Sequence, residues 1–260
     1  MSAPSNPEQG LLLMLRTLKL PAFAAHYEEI SVQAERQGWT FGQGLHALCE
    51  IEMEQRRTRK IERLLKNSNL PADKTLATLD PKRLTAKIRR QLPALCDGAF
   101  IGRAENLLAF GLPGRGKTHL MAAIGHELVR RGHAVLFTTT CQLVQQLLRA
   151  KRELVLDREL RRLDRFDAVI LDDIGYVQQD RDEMEVLFTF LAERYERKSV
   201  LITSNFVFSQ WDRIFKDPMT TAAAVDRLVH HSIILELTGP SIREEDATKA
   251  KAKPKQGDDN

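Results

Sequence analysis

The sequence predicts an α/β fold, a phosphate-loop core whose parallel sheet is flanked by helices, preceded by a small all-α domain. Three observations predict it. First, the apolar run Asn106–Phe110 leads into Gly111-Leu-Pro-Gly-Arg-Gly-Lys-Thr118, which fits G-x-x-x-x-G-K-[ST], and residues 119–131 follow with helical apolar spacing at Leu120, Ala123, Ile124 and Leu128. Strand, glycine-rich loop, helix is the context that separates a phosphate loop from a chance Gly-Lys-Thr. Second, strand-like and helical stretches alternate beyond the loop, the pattern of a parallel sheet covered on both faces. Third, residues 9–65 read as helix throughout, which places a domain boundary near residue 80.

The elements follow in order. Residues 1–8 carry Pro and Ser and are expected to be disordered. Leu11, Leu12, Leu15 and Leu18 repeat at helix spacing up to Pro21, and a second helix spans residues 22–36 until Gly38 ends it. Thr40 with Gln43 three residues on is a capping box opening a third helix, which should carry Leu45, Leu48, Ile51, Ile61, Leu64 and Leu65 inward until Asn67-Ser-Asn69 closes it. Its last turns hold Arg56, Arg57, Arg59, Lys60, Arg63 and Lys66. Such a run is either a solvated helix face or a patch that tracks a nucleic-acid backbone. Residues 70–80 look like a linker, and residues 81–90 and 94–102 like two helical pieces. Beyond the loop, a strand at 134–139 precedes helices at 141–150 and 153–163. Ala168-Val-Ile-Leu171 is a buried strand, residues 183–197 a helix, Val200-Leu-Ile-Thr203 a strand, and residues 232–237 the last strand, after a Pro218 break and a short helix through Leu228. The resulting domains are 1–80 (helices and linker), 81–245 (the core) and 246–260, a basic tail too poor in apolar residues to fold.

Composition sets bounds. Hydrophobic residues make up 43% of the 260, enough for a sizeable core, and the net charge of +4 points to a polyanionic partner. Cys49, Cys96 and Cys141 are odd in number and lack C-x-x-C spacing, which argues for a reducing cytoplasm over a disulfide framework or zinc site. The apolar run at 11–20 is broken by Arg16 and Lys19, so no membrane contact is expected.

The chemistry gathers around the loop. Gly111, Gly114 and Gly116, with Pro113 and Arg115 between them, let backbone N–H groups face inward, and the helix start adds unpaired donors and a positive dipole end. Lys117 suits the β- and γ-phosphates, Thr118 offers Mg²⁺ a hydroxyl, and His119 completes the candidate nucleotide-binding set. Asp172, at the end of an apolar strand, is a candidate Mg²⁺ carboxylate, and Asp173 a candidate to orient or deprotonate water. Asn205 either bridges nucleotide and water or caps a turn. Arg227 either reaches a neighbouring subunit's nucleotide or pairs locally with Asp226. His230 and His231 stand apart from any ligand set.

Gly-Leu-Pro-Gly-Arg-Gly-Lys-Thr-His-Leu, Leu-Asp-Asp-Ile-Gly-Tyr176, Arg194-Tyr-Glu-Arg-Lys-Ser199, Thr203-Ser-Asn205, Trp211, Asp226-Arg-Leu-Val-His-His231 and Leu237-Thr-Gly-Pro-Ser-Ile-Arg243 together resemble the IstB-like transposition helper ATPases. These belong to the initiator/helicase-loader clade of AAA+ proteins, beside DnaA and DnaC. The resemblance covers residues 10–243. It implies an AAA+ core, ATP and Mg²⁺ as cofactors, slow ATP hydrolysis stimulated by DNA or partner, homo-oligomers with shared ATP sites, largely nonspecific duplex DNA binding, and a transposase of the same insertion sequence as partner. It also implies that the basic helix before Asp172 is the clade's inserted pore element, with Lys151, Arg152 and Arg158 facing DNA.

Several departures stand out. Arg115 replaces a small residue, Asp173 a Glu, and Ile242 the Tyr before Arg243, and little ordered sequence remains after Leu237 for a lid. No Asn-Lys-x-Asp guanine reader is present, which favours ATP over GTP. The basic segments lack interleaved aromatics, which favours duplex phosphate contacts over single-strand stacking. Two other readings stand beside the transposition helper: a DnaC-like helicase loader, and a scaffold that binds ATP without useful turnover.

Overall fold

The computed structural model describes residues 7–176, 181–206, 211, 226, 228–239 and 241. Contacts divide the chain into two compact units, Met1–Arg63 and Leu64–Asn260, well before the boundary expected near residue 80.

The first unit is helical: α1 (Pro7–Thr17), α2 (Pro21–Gln37) and most of α3 (Phe41–Ser68). Its local signals act as the sequence predicts. Pro21 opens α2, where its missing N–H costs nothing. Gly38 closes α2 at φ 64°, in the left-handed region. Thr40 N donates to Gln43 Oε1 at 2.8 Å, and Gln43 N to Thr40 Oγ1 at 3.3 Å, the reciprocal capping box. The expected inward face of α3 needs correction. Leu45 and Leu65 are exposed, and the buried residues of α3 among those described are Glu52 and Ser68. Helical spacing specifies a face but not a cover. Glu52 accepts from Ala22 N at the start of α2 (2.8 Å) and from Arg56 Nε (2.6 Å). α1 begins at Pro7, so residues 7 and 8 are helical rather than disordered.

The second unit is built on a five-stranded parallel sheet in the order β2-β3-β4-β1-β5. The strands are β1 (Asn106–Phe110), β2 (Val135–Thr139), β3 (Ala168–Asp172), β4 (Ser199–Ser204) and β5 (Ser232–Glu236). Every residue of β1 and β4 is buried, as continuous apolar runs in a covered parallel sheet should be. The helices are α4 (Ala86–Asp97), α5 (Ala99–Gly102), α6 (Lys117–Arg130), α7 (Thr140–Arg152), α8 (Leu156–Leu163) and α9 (Arg181–Arg194). This is the α/β phosphate-loop core the sequence predicts. Between residues 81 and 102 the boundaries shift. Pro81–Arg83 is a 3-10 turn, Thr85 caps α4 by accepting from Ile88 N, and Gly98 at φ 79° ends it.

Register fixes where chemistry can occur. Phe110 lies opposite Ser204, and Thr139 opposite Asp172. The loop after β1, the acids after β3 and Asn205 after β4 therefore emerge at one edge of the sheet. At the other edge, buried Arg194 donates to the carbonyls of Leu163, Phe166, Asp167 and Ser199, tying the ends of α8 and α9 to the starts of β3 and β4. The expected linker, residues 70–80, belongs to this unit: Leu70 packs on Gly125, and His126 Nε2 lies 3.0 Å from Pro71 O.

Candidate nucleotide site

The loop between β1 and α6 is shaped by its glycines. A Cβ on Gly111 would meet Leu237 O at 2.5 Å, and Gly114 sits at φ 78° with Ser241 Oγ only 2.2 Å from where its Cβ would be. Gly111 excludes a side chain because the Leu237 backbone lies against it, and Gly114 because side chains rarely adopt its φ. Arg115 reaches away, Nη1 donating to Leu237 O at 3.3 Å. Lys117, only 7% exposed, donates from Nζ to Gly111 O (2.7 Å), Leu112 O (3.0 Å) and Asn205 Oδ1 (2.7 Å). The ammonium is thus aimed back over the loop it follows.

Asp172 and Thr118 meet from different elements. Thr118 Oγ1 donates to Asp172 Oδ1 at 2.8 Å, and Thr203 Oγ1 donates to the same oxygen at 2.7 Å. Thr203 Oγ1 also accepts from Asp173 N at 2.8 Å, so one hydroxyl sets the spacing of the two acids. Asp173 occupies φ 58°, rare for a residue other than glycine and a form of strain that concentrates at functional positions. Asn205 Nδ2 donates to both its oxygens, at 3.1 and 3.2 Å. Burial pushes the Asp173 carboxyl above its usual range, and the charge of Asp172 adds to this, against the opposing pull of Lys117 and Asn205. The cleft above these groups has a volume of ≈ 250 Å³, lined by residues 113–119, Asp173, Thr203, Asn205 and Lys74. Its donors suit a polyphosphate, and its hard oxygens, Thr118 Oγ1 and Asp172, suit Mg²⁺. A cavity of ≈ 340 Å³ beside Arg194 is lined by α8 and α9 and offers no amide cradle.

The fold therefore gathers Gly111, Pro113, Gly114, Arg115, Gly116, Lys117, Thr118, His119, Asp172, Asp173 and Asn205 around one sheet edge. Arg227, Ile242, Arg243, the Pro218 break and the tail at 246–260 lie outside the described residues. Of the expected DNA contacts, Arg57, Lys60, Arg63, Arg152 and Arg158 are exposed. Arg56 is engaged with Glu52 and, through Nη2, with Lys19 O (2.7 Å); Arg59 donates to Gln55 Oε1. Lys151 pairs with Asp182 (3.2 Å) and Glu185 (3.0 Å), so its charge is largely answered within the protein.

Sequence reasoning missed three things. Lys74 enters the cleft from the supposed linker, with no motif to announce it. Thr203, read only as a strand end, organises both acids. His230 and His231 are not isolated: Glu196 Oε1 lies 3.3 Å from His231 Nε2, and the two rings meet edge-on at 4.4 Å. That exposed trio sits where β4 and β5 begin, at the opposite sheet edge from the phosphate loop.

A putative insertion sequence ATP-binding protein of Sinorhizobium fredii is 43% identical over 94% of this chain and 82% of its own length. The insertion sequence IS21 putative ATP-binding protein of Pseudomonas aeruginosa is 37% identical over 92% and 91%. Among solved structures, DnaI superposes with a TM-score of 0.54 at 23% identity, over 68% of this chain and 95% of its own, a likeness of fold. No described helix is long and apolar enough to cross a membrane. The family described as IstB-like ATP binding protein matches residues 13–250, and the chain belongs to that family.

Proposed function

We propose that this chain is an ATP-hydrolysing helper of insertion-sequence transposition, which assembles on duplex DNA and acts with the transposase of the same element. The relatives' names tie close sequence kin to insertion sequences. The observation that carries the hydrolytic part is the chain of contacts Thr118–Asp172–Thr203–Asp173–Asn205–Lys117, which joins a phosphate-loop cation to a second acid.

Bound ATP with Mg²⁺ would supply the phosphoanhydride whose cleavage drives the cycle. Each residue then has a distinct task. Lys117 offers its ammonium to the phosphate oxygens, and Thr118 and Asp172 supply oxygen ligands for the metal. Asp173 holds water and accepts its proton, a task that its raised proton affinity favours. Asn205 touches Lys117 and Asp173 at once, so it fixes the distance between cation and base. Arg227 serves a neighbouring subunit's site, which makes assembly a condition for turnover. The exposed Arg57, Lys60, Arg63, Arg152 and Arg158 hold DNA through phosphates, a grip that should weaken steeply with salt.

The test is ATP binding and DNA-stimulated hydrolysis by the full chain. Lys117→Ala should lose binding. Asp173→Asn should keep binding and lose hydrolysis by roughly 100-fold or more, the scale of general-base catalysis. Mixing Arg227→Ala with Lys117→Ala should restore part of the activity. Purified protein that holds no ATP, or that stays monomeric on DNA with every nucleotide, rules the reading out.

A further inference from the structure

We propose that residues 70–80 form a built wall of the ATP cleft and that Lys74 on it is a further nucleotide-binding residue, held there by His119. The inference rests on the ATP reading of the cleft and adds a binding group to it.

The segment has its own internal closure. Thr75 N donates to Thr78 Oγ1 at 3.0 Å, Thr78 Oγ1 donates to Asp73 O at 2.6 Å, and Lys74 N donates to Pro71 O at 3.2 Å. A turn with that many bonds in so few residues has little freedom left. It is then fastened along one face of α6. His119 Nε2 lies 3.1 Å from both Thr75 O and Thr78 Oγ1, and His126 Nε2 lies 3.0 Å from Pro71 O. A carbonyl oxygen only accepts, so Nε2 carries the proton on both rings. Positions 119 and 126 are two turns apart and share a face, so the pair sets the register of the wall along the helix. Gly125 between them permits the approach: a Cβ there would stand 2.8 Å from Leu70 Cδ2.

The consequence is the placement of Lys74. Its side chain is half-buried and lines the cleft together with residues 113–119. Among the described residues no carboxylate forms an ion pair with it. An ammonium held without a paired acid beside an amide cradle matches the charge of a nucleoside di- or triphosphate. His119 acts through the wall and is a positioning residue.

The experiment titrates the full chain with ATP and with ADP, using Lys117→Ala as the control on the underlying reading. Lys74→Ala should weaken both nucleotides about tenfold, the scale of one charge-assisted contact. Lys74→Arg, which keeps the charge and guards against a folding artefact, should stay within about threefold of the parent. His119→Ala should weaken binding in the same direction, and His119→Gln, whose amide can donate to Thr75 O, should recover most of it. A merely structural histidine would show no such recovery. If the parent binds ATP, Lys117→Ala loses it and Lys74→Ala matches the parent within about twofold, the proposal is overturned while the ATP reading stands. If the parent itself binds no ATP, both fall together.

Discussion

The two units close their interiors in opposite ways. In the second, β1 and β4 are buried along their whole length, and Leu143, Leu147 and Phe190 of α7 and α9 share one buried apolar cluster with Leu108, Phe110, Val200 and Ile202 of those strands. In the first, α2 buries Ala22, Phe23 and Ile30, while Leu13, Met14, Leu18, Phe41 and Met53 face outward. Each unit also holds a buried charge. Arg194, 2% exposed, ties four carbonyls behind a finished core; Glu52, 4% exposed, joins α3 to the start of α2 in a unit with little other buried material. The candidate nucleotide site needs the first kind of interior, because Lys117, Asp172 and Asn205 arrive from three strand ends and only a packed sheet holds those ends together. The helical unit takes its order from local signals, and its outward apolar residues are the sort of surface a partner covers.

The largest test of this contrast is a cavity. Leu108→Ala in β1 empties a fully buried position and should cost the second unit about 3–5 kcal/mol, read as lost hydrogen-exchange protection across the sheet. Leu15→Ala in α1, at a looser site, should cost about 2 kcal/mol or less. Equal losses would break the comparison. Next comes Arg194→Met, which keeps an apolar stem but loses the guanidinium over Phe190 and takes a donor from each of four carbonyls, of which Leu163 O and Asp167 O keep a backbone partner. It should cost about 3 kcal/mol in the second unit, with exchange rising first where β3 and β4 begin. No loss there would mean that the apolar core alone holds those strand starts.

The contrast also explains what could be read in advance. Strands β1 and β3 are legible because parallel strands buried on both faces are continuous apolar runs, and the loop because its glycines and lysine keep fixed spacing. Thr40 with Gln43 announced a helix start correctly, since capping is local. Leu45 and Leu65 misled because spacing shows a face and not whether another element lies on it. Lys74 was illegible for a related reason. A polar residue in a Pro- and Thr-rich stretch looks like solvent-exposed linker until His119 and His126, far along the chain, are seen to hold that stretch. Glu196 beside His231 depends in the same way on two strand starts meeting.

A smaller effect is expected at Glu52. Burial alone would raise its carboxyl, but the Arg56 hydrogen bond and the Ala22 amide outweigh that and hold it below its ordinary value of 4.5. A carboxyl lowered on folding contributes stability that is full above its unfolded pKa and is lost as pH falls through its folded one. The helical unit should therefore weaken below about pH 4.5, seen as faster exchange of the first α2 amides after correction for intrinsic rates. Glu52→Ala should cost about 2 kcal/mol at neutral pH and flatten that dependence. An unchanged pH profile would show that the carboxylate does not organise the unit.

The smallest effect should come from the outward apolar surface. Met53 lies in α3, one residue from Glu52, yet is 71% exposed. Glutamine has nearly the helix propensity of methionine, so Met53→Gln removes apolar contact without disturbing the helix itself. If nothing within the chain covers Met53, stability of the helical unit should change by less than about 0.5 kcal/mol, since exposed positions outside special features rarely matter more. A loss of about 1.5 kcal/mol or more would place Met53 under a cover formed by another copy of the chain or by a segment outside the described residues. Repeating the measurement over a tenfold range of protein concentration separates these: a cover made by a second copy gives a loss that shrinks on dilution, because dilution removes the cover from the parent as well. A loss independent of concentration assigns the cover to the chain itself.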